Sequence, residues 1–383
     1  MKVSRILVAG LGLALALSMG ACSSTPAAPG ASGSPAPAAS SGGGAAAGNG
    51  ELIGVSMPTK SLQRWNLDGS HLEDALKAAG YTVSLQYADN KVDEQVSQIQ
   101  NMINAGAKVL VIAAVDGTSL TAVLQQAANS GAKVIAYDRL IMNTPNVDYY
   151  DTFDNYKVGT LQGNYIVDQL GLKNDTSKTY TFEPFAGDPA DNNAPFFFAG
   201  AWDVLSPYVT SGQLKVLSGN TPANDDDWKK IGVPGWDTSK AQSNMQTRLN
   251  TYYTSQKVQV VLSPNDSLAL GIEQALDAAG YSSSDWPLIT GQDCDVPNTK
   301  NILAGKQSMC VWKNTPLEGD QAVKMVQGIL GGTEVPVNDT KTYNNGQKVV
   351  PSFLSDPQVV TKDTVQSVLV GSGFYTADQL GLS

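Results

Sequence analysis

Short apolar runs alternate with longer stretches of helical period along most of this chain. Residues 52–57 read as a buried strand stopped by Pro58. Leu72, Ala75, Leu76 and Ala79 then fall at i, i+3, i+4 and i+7 before Gly80, the pattern of an amphipathic helix with a C-terminal stop. A second strand is predicted over 82–87 and a helix over 92–105, where Val96, Ile99, Met102 and Ile103 share one face. The run 109–114 is apolar at every position, as expected in a parallel sheet covered on both sides. A helix over 120–129 and a strand over 134–137 complete this half. Gly106-Ala107-Lys108-Val109 recurs as Gly131-Ala132-Lys133-Val134, a spacing that suits one strand–helix step and not a solenoid.

The rhythm continues downstream. Strands are predicted over 179–184, 214–218, 258–262, 288–290 and 309–312, with helices over 193–205, 241–253, 267–279 and 318–330. Ala75-Leu76 and Ala78-Ala79-Gly80-Tyr81 are echoed by Ala275-Leu276 and Ala278-Ala279-Gly280-Tyr281. The pattern predicts two α/β halves of similar design, each an open doubly wound sheet that presents ligand groups at the C-terminal ends of its strands.

Composition narrows the chemistry. At 383 residues with 42% hydrophobic positions, the chain has material for two or three cores. A net charge of −10 argues against a nucleic-acid partner. His71 is the single histidine, which excludes a multi-His zinc site and leaves a Ser-His-Asp hydrolase dependent on one residue; a helix surface is its expected place. Three cysteines exclude a Cys-rich cluster. Asp225-Asp226-Asp227 lacks the spacing and glycine of a calcium loop and reads as a solvated turn. Neither metal nor cofactor is expected.

The first fifty residues read as address and tether. Lys2 and Arg5, a short apolar run and the small residues Gly20 and Ala21 form a secretory signal over 1–21, too short to span a bilayer as a stable helix. Met19-Gly20-Ala21-Cys22 resembles a bacterial lipobox, in which Cys22 carries the lipid. Residues 22–50 are then a lipidated cysteine and a flexible Ser/Pro/Ala/Gly linker spanning roughly 30 Å as a random coil. This predicts an exported protein anchored by lipid to the outer face of the cytoplasmic membrane.

Polar residues collect at the predicted strand ends: Asp116, Asp138-Arg139, Asp191-Asn192-Asn193, Asn265-Asp266, Gln292-Asp293 and Lys313. Any one of these could be a helix cap, but six strand ends repeat the trend. No phosphate-binding P-loop motif is present. Groups that both donate and accept, together with loop aromatics, suit a neutral polyhydroxyl ligand. Trp65, beside Arg64, and Trp236, in a Pro-Gly-Trp-Asp turn, are candidate stacking surfaces; Trp202, Trp228, Trp286 and Trp312 are assigned to cores.

These stretches resemble the sugar-binding lipoproteins of ABC importers, with the type I periplasmic-binding fold, in the branch of xylose-binding and multiple-sugar receptors. The resemblance is carried by Ile53-Gly54-Val55-Ser56-Met57-Pro58-Thr59 with Arg64-Trp65, Ile135-Ala136-Tyr137-Asp138-Arg139-Leu140, Asp191-Asn192-Asn193-Ala194, Leu262-Ser263-Pro264-Asn265-Asp266, Thr290-Gly291-Gln292-Asp293 and Val311-Trp312-Lys313. It implies sugar contacts from Arg64, Asp138, Arg139, Asn193, Trp236, Asn265, Asp293 and Lys313, with Trp65, Asp116 and Asn192 as secondary candidates. Adjacent cations should keep Asp138 and Asp293 ionised, unlike the acid of a glycosidase. It further implies two lobes joined by a three-segment hinge: an N-terminal lobe of 51–154 and 314–343, and a C-terminal lobe of 155–313 and 344–383. The implied ligand is an aldopentose or aldohexose such as xylose, glucose, galactose or arabinose. The implied partners are an ABC permease and, as in some relatives, a sensor kinase; the expected state is a monomer without enzymatic activity. A secreted carbohydrate-active enzyme is the alternative.

Cys294 and Cys310 flank neighbouring predicted strands, and export would place them in an oxidising compartment; a disulfide between them is predicted, contributing about 3 kcal/mol by loop closure.

Overall fold

Hydrophobic runs become the central strands of two parallel sheets. The computed structural model describes residues 48–223 and 226–382; the predicted signal, Cys22 and most of the linker lie outside them, as does Asp225. In chain order the first sheet-building elements are β1 (Leu52–Met57), α1 (Gln63–Ala78), β2 (Thr82–Tyr87), α2 (Val92–Asn104), β3 (Val109–Ile112), α3 (Thr121–Ser130), β4 (Lys133–Tyr137) and β5 (Tyr149–Phe153). There follow α4 (Asn155–Leu170), β6 (Tyr180–Pro184), α5 (Ala194–Thr210), β7 (Leu214–Lys215), α6 (Thr238–Tyr252), β8 (Val260–Leu262), α7 (Asp266–Ala278), β9 (Leu288–Ile289), α8 (Val296–Ala304) and β10 (Cys310–Trp312). The chain ends with α9 (Thr315–Gly331), β11 (Ser352–Ser355), β12 (Gln358–Val360) and α10 (Ala377–Leu380).

The N-terminal sheet has the order β11-β5-β4-β3-β1-β2, and each of its pairings is parallel. All four residues of β3 are buried, because helices cover both faces of the sheet. The C-terminal sheet has the order β7-β6-β8-β9, also parallel, and is continued by a bridge from Gln292 to Val311 and by the antiparallel pair β10–β12. In each sheet the strand order reverses beside its first strand, between β1 and β3 and between β6 and β8. That is where an open α/β sheet leaves a crevice for ligand. The two sheets organise separate apolar cores, one around Phe182, Val260 and Leu276, the other on the two faces of β3.

The chain passes between the lobes beyond β5, where Asp154 caps α4 by accepting from the Lys157 backbone N–H at 3.0 Å, and again beyond β10, from which α9 packs beside α1. The third passage corrects the expectation. The lobe bounds expected from the sequence put it between residues 343 and 344, but Tyr343 is buried in the N-terminal core, and β11 pairs with β5 in register from Ser352↔Tyr150 to Ser355↔Phe153. Residues 344–355 therefore belong to the N-terminal lobe, and the chain returns only after Ser355. The physical reason is the exposed backbone edge that β5 would otherwise present, which β11 covers.

Other departures are local. β5, α4, α8, β11 and β12 were not predicted, and β7 is shorter than the run 214–218. His71 does lie on a helix surface, but its Nε2 meets Asp320 Oδ1 at 2.8 Å. Among the described residues no helix is long and apolar enough to cross a membrane, and no group of acidic, His or Cys side chains could hold a metal.

Candidate functional site

The residues at the strand ends of both sheets converge on one pocket between the lobes. The pocket is narrow and partly open to solvent, with a cavity volume of about 30 Å³. From the N-terminal lobe, Arg64 and Trp65 stand in the first turn of α1, and Asp138 and Arg139 directly follow β4. From the C-terminal lobe come Asp191 after β6, Phe197 on α5, Asn265 and Ser267 around the start of α7, and Gln292, Asp293 and Asp295 after β9. Lys313 follows β10, and Trp236 comes from a loop.

Arg64 is the electrostatic centre. Its Nε donates to Asp68 Oδ2 at 3.0 Å, and its second amino group lies 2.6 Å from Asp138 Oδ2 and 3.0 Å from Glu318 Oε2. Across the cleft, Arg64 reaches Asp293 Oδ1 at 3.8 Å, and Lys313 bridges the same pair, 3.1 Å from Asp293 and 3.7 Å from Asp138. Burial disfavours the Arg64 charge, but Asp138, Asp68, Glu318 and Asp293 together push its pKa further up. Burial also opposes ionisation of Asp138; Arg64, Lys313 and Arg139 outweigh it and hold this carboxyl below the ordinary range. Asp68 and Glu318, buried behind the pocket, are pushed up, chiefly by burial.

A second ion pair closes the other side. Arg139 Nε lies 3.1 Å from Asp191 Oδ2, and the Trp236 indole N–H donates to the same oxygen at 3.1 Å. Burial pushes the Asp191 carboxyl up despite Arg139. The Trp65 ring lies under both guanidinium groups, 4.7 Å from Arg64 and 5.1 Å from Arg139. The Trp236 ring packs edge to face with Phe197 and rests on Gly187, where any Cβ would collide with three ring carbons. Asp295 is pushed up to about 7, first by burial and then by the Asp293 charge. Gln292 Oε1 is buried without a hydrogen-bond partner.

Strain concentrates here. Asp138 (φ 55°), Trp236 (φ 52°) and Asp293 (φ 91°) have left-handed or nearby backbone conformations that non-glycine residues rarely adopt. Each costs about 1–3 kcal/mol and persists only where surrounding packing imposes it.

Of the residues expected to touch ligand, Arg64, Asp138, Arg139, Trp236, Asn265, Asp293 and Lys313 line the pocket, as does Trp65. Asn193 does not. It N-caps α5, and its side chain donates to the Asp138 carbonyl at 2.7 Å while accepting from Tyr150 O–H at 2.9 Å. Its amide is consumed in joining the lobes, because Asp138 and Tyr150 stand on the other side of the cleft. Asp116 and Asn192 also lie outside, on a separate depression; the Asp116 carboxylate accepts from the Thr118 backbone and hydroxyl in a local turn. Asn265 lines the pocket but also caps α7, accepting from the Leu268 N–H at 3.1 Å. Sequence reasoning did not single out Leu62, Phe197, Ser267 or Asp295 as lining residues. Asp191 and Gln292 stood in the strand-end runs and were the detectable part of what was missed. The predicted disulfide is present: Cys294 and Cys310 are bonded, with Cα atoms 5.6 Å apart.

Residues 53–334 match the family model described as a periplasmic binding protein domain. A multiple sugar-binding periplasmic receptor of Rhizobium radiobacter is 49% identical, with 86% of this chain and 92% of that protein covered. The D-xylose-binding periplasmic protein of Escherichia coli is 37% identical over 86% of this chain and 92% of its own length. Among solved structures, an ABC transporter solute-binding protein from Clostridium phytofermentans with bound β-D-glucose is 52% identical, covers 86% of this chain and 100% of its own, and superposes with a TM-score of 0.82. Two parallel-sheet lobes, a polar cleft at their switch points and these matches lead to one conclusion: the chain belongs to the periplasmic binding protein family.

Proposed function

We propose that this chain is an extracytoplasmic monosaccharide receptor that closes around an aldose and delivers it to an ABC importer. The observation that carries the reading is charge balance in the wall. Three cations, Arg64, Arg139 and Lys313, are paired with three carboxylates, Asp138, Asp191 and Asp293, in the wall of a small aromatic-floored pocket. A charged ligand would have to displace one of these pairs. A neutral aldopentose or aldohexose such as xylose, glucose, galactose or arabinose instead donates hydroxyls to the carboxylates, accepts from the cations in charge-assisted bonds, and lays C–H surface on the rings. Arg64, Asp138, Arg139, Trp236, Asn265, Asp293 and Lys313 are the assigned contacts. Presentation of the bound sugar to a sensor kinase is compatible with the same closure.

The export signal over 1–21 and the lipobox cysteine Cys22 support a lipid-anchored protein on the outer face of the membrane. Replacing Cys22 by alanine should move the protein from the membrane fraction to the soluble one. The reading is of a binder that leaves its ligand unaltered. In the rival reading as a carbohydrate-active enzyme, Asp295, pushed up to about 7, would have to serve as the acid. Calorimetry against a panel of aldoses, run beside chromogenic glycosides, separates the two. Saturable binding without turnover is expected, with a smaller radius of gyration in the complex; glycoside hydrolysis would overturn the receptor reading.

A further inference from the structure

We propose that the Cys294–Cys310 disulfide is a positioning element of the ligand pocket, holding Asp293 against Lys313; the proposal rests on the receptor reading above. Asp293 immediately precedes Cys294, and Lys313 follows Cys310 by three residues. The bond therefore joins the two short segments that carry one of the ion pairs of the pocket wall, Lys313 Nζ to Asp293 Oδ1 at 3.1 Å.

The Asp293 segment does not hold its own shape. Asp293 and Cys294 are consecutive non-glycine residues at positive φ, 91° and 57°, so the loop relaxes unless its surroundings restrain it. Three hydrogen bonds contribute: Asp293 N–H to the Val311 carbonyl at 3.0 Å, Thr299 hydroxyl to the Cys294 carbonyl at 3.0 Å, and Asp295 N–H to Asp266 Oδ2 at 2.8 Å. Each can open locally. The disulfide cannot, and it is the covalent tie to β10.

The strand at the other end also needs support. β10 has three residues, paired antiparallel with the three residues of β12. Both cysteines are fully buried in a small apolar cluster with Ile302, Trp312, Val365 and Leu369, separate from the main core of the lobe. A strained loop and a short strand thus share one covalent link, and a charged pair of the pocket wall is mounted on its two sides.

The test uses the full chain and the double variant Cys294→Ala/Cys310→Ala, with D-glucose as the calorimetric probe. Affinity should fall about 10–100-fold, the scale of loosening one hydrogen-bonded charged contact. A positioning role also predicts coupling. Added to Asp293→Asn, the double cysteine change should weaken binding at most about 2–3-fold further, whereas added to Arg139→Ala its full effect should multiply. Unchanged affinity, or multiplication in both backgrounds, would overturn the proposal. Without ligand, hydrogen exchange at the Asp293 amide should accelerate about tenfold more than at the β8 amides; equal acceleration would mean general destabilisation and count against positioning. Should alanine at both sites prevent folding, Cys294→Ala/Cys310→Val keeps the cluster filled and is read in the same way. If the unmodified protein bound no aldose at all, the receptor reading would fall, while the exchange experiment would still decide the role of the disulfide.

Discussion

Replacing Arg64 by leucine tests the electrostatic centre of the pocket. The guanidinium has 7% of its residue surface exposed and meets four carboxyls: Asp138 at 2.6 Å, Asp68 and Glu318 at 3.0 Å, and Asp293 at 3.8 Å. Among the described residues, Lys313 is then the cation left in ion-pair contact with Asp138 and Asp293, and neither Asp68 nor Glu318 keeps one. Removing one partner of a buried ion pair costs about 3–5 kcal/mol, which for a protein of this size is a fall in Tm of roughly 4–7 °C. The effect must depend on pH. In the native protein, Asp68 and Glu318 are already pushed up, so their contribution is complete below the unfolded carboxylate value of about 4 and is lost as pH rises through the raised folded values. Asp138 has the opposite sign: held down by Arg64, it stabilises above that value and loses the contribution as pH falls. Without Arg64 all the nearby carboxyls move upward, so the deficit should be smallest near pH 5, where they can take protons, and largest near pH 8. Thermal melts at the two pH values, with calorimetry of glucose binding, supply the assay. Affinity should drop about 10–150-fold from the lost charge-assisted bonds. A deficit below about 1 kcal/mol, or one equal at both pH values, would refute the claim that Arg64 neutralises this cluster.

Further changes probe other parts of the site. Gly187→Ala places a methyl group against the Trp236 ring and should lower sugar affinity with a shift in tryptophan emission; unaltered emission and affinity would show that the ring has no fixed seat there. Asn193→Ala removes the bridge from α5 to Asp138 and Tyr150; at about 1–3 kcal/mol for unsatisfied buried partners, affinity should fall roughly 5–150-fold and the complex should close less completely in small-angle scattering. Asp295 and Glu273 are pushed up to about 7 and about 8, chiefly by burial, so both stabilise the fold at low pH and lose that contribution as pH rises through those values. Tm should therefore be higher at pH 5.5 than at pH 9, and Glu273→Gln should flatten part of the slope; a stability that increases over this range would contradict both assignments.

The alternation of apolar runs with helical stretches was enough to read two α/β lobes, because burial between two helical layers makes a strand apolar at nearly every position, as in β3. The pocket was legible for a related reason: strand ends are marked by turn residues, and in this fold strand ends are where ligand groups stand. Elements that break the pattern were missed. β5 carries Asp151, fully buried and pushed well up by burial and by Asp138, and α4 buries Gln162 and two glycines in its close approach to α5. In both, polar residues or glycines occupy buried positions and interrupt the apolar pattern that identifies a strand or helix. β11 is four residues long, and only its pairing with β5 decides which lobe it joins.

Side-chain direction was likewise a tertiary decision. Asn193 and Asp191 are two residues apart in one polar run, yet Asp191 faces the pocket and Asn193 bonds across the lobes, because the Asp138 carbonyl and Tyr150 hydroxyl claim its amide. Periodicity is a property of neighbouring residues and can be read along a chain. Which partner satisfies a buried polar group depends on what the rest of the fold brings within about 3 Å, and no stretch of sequence contains that information alone.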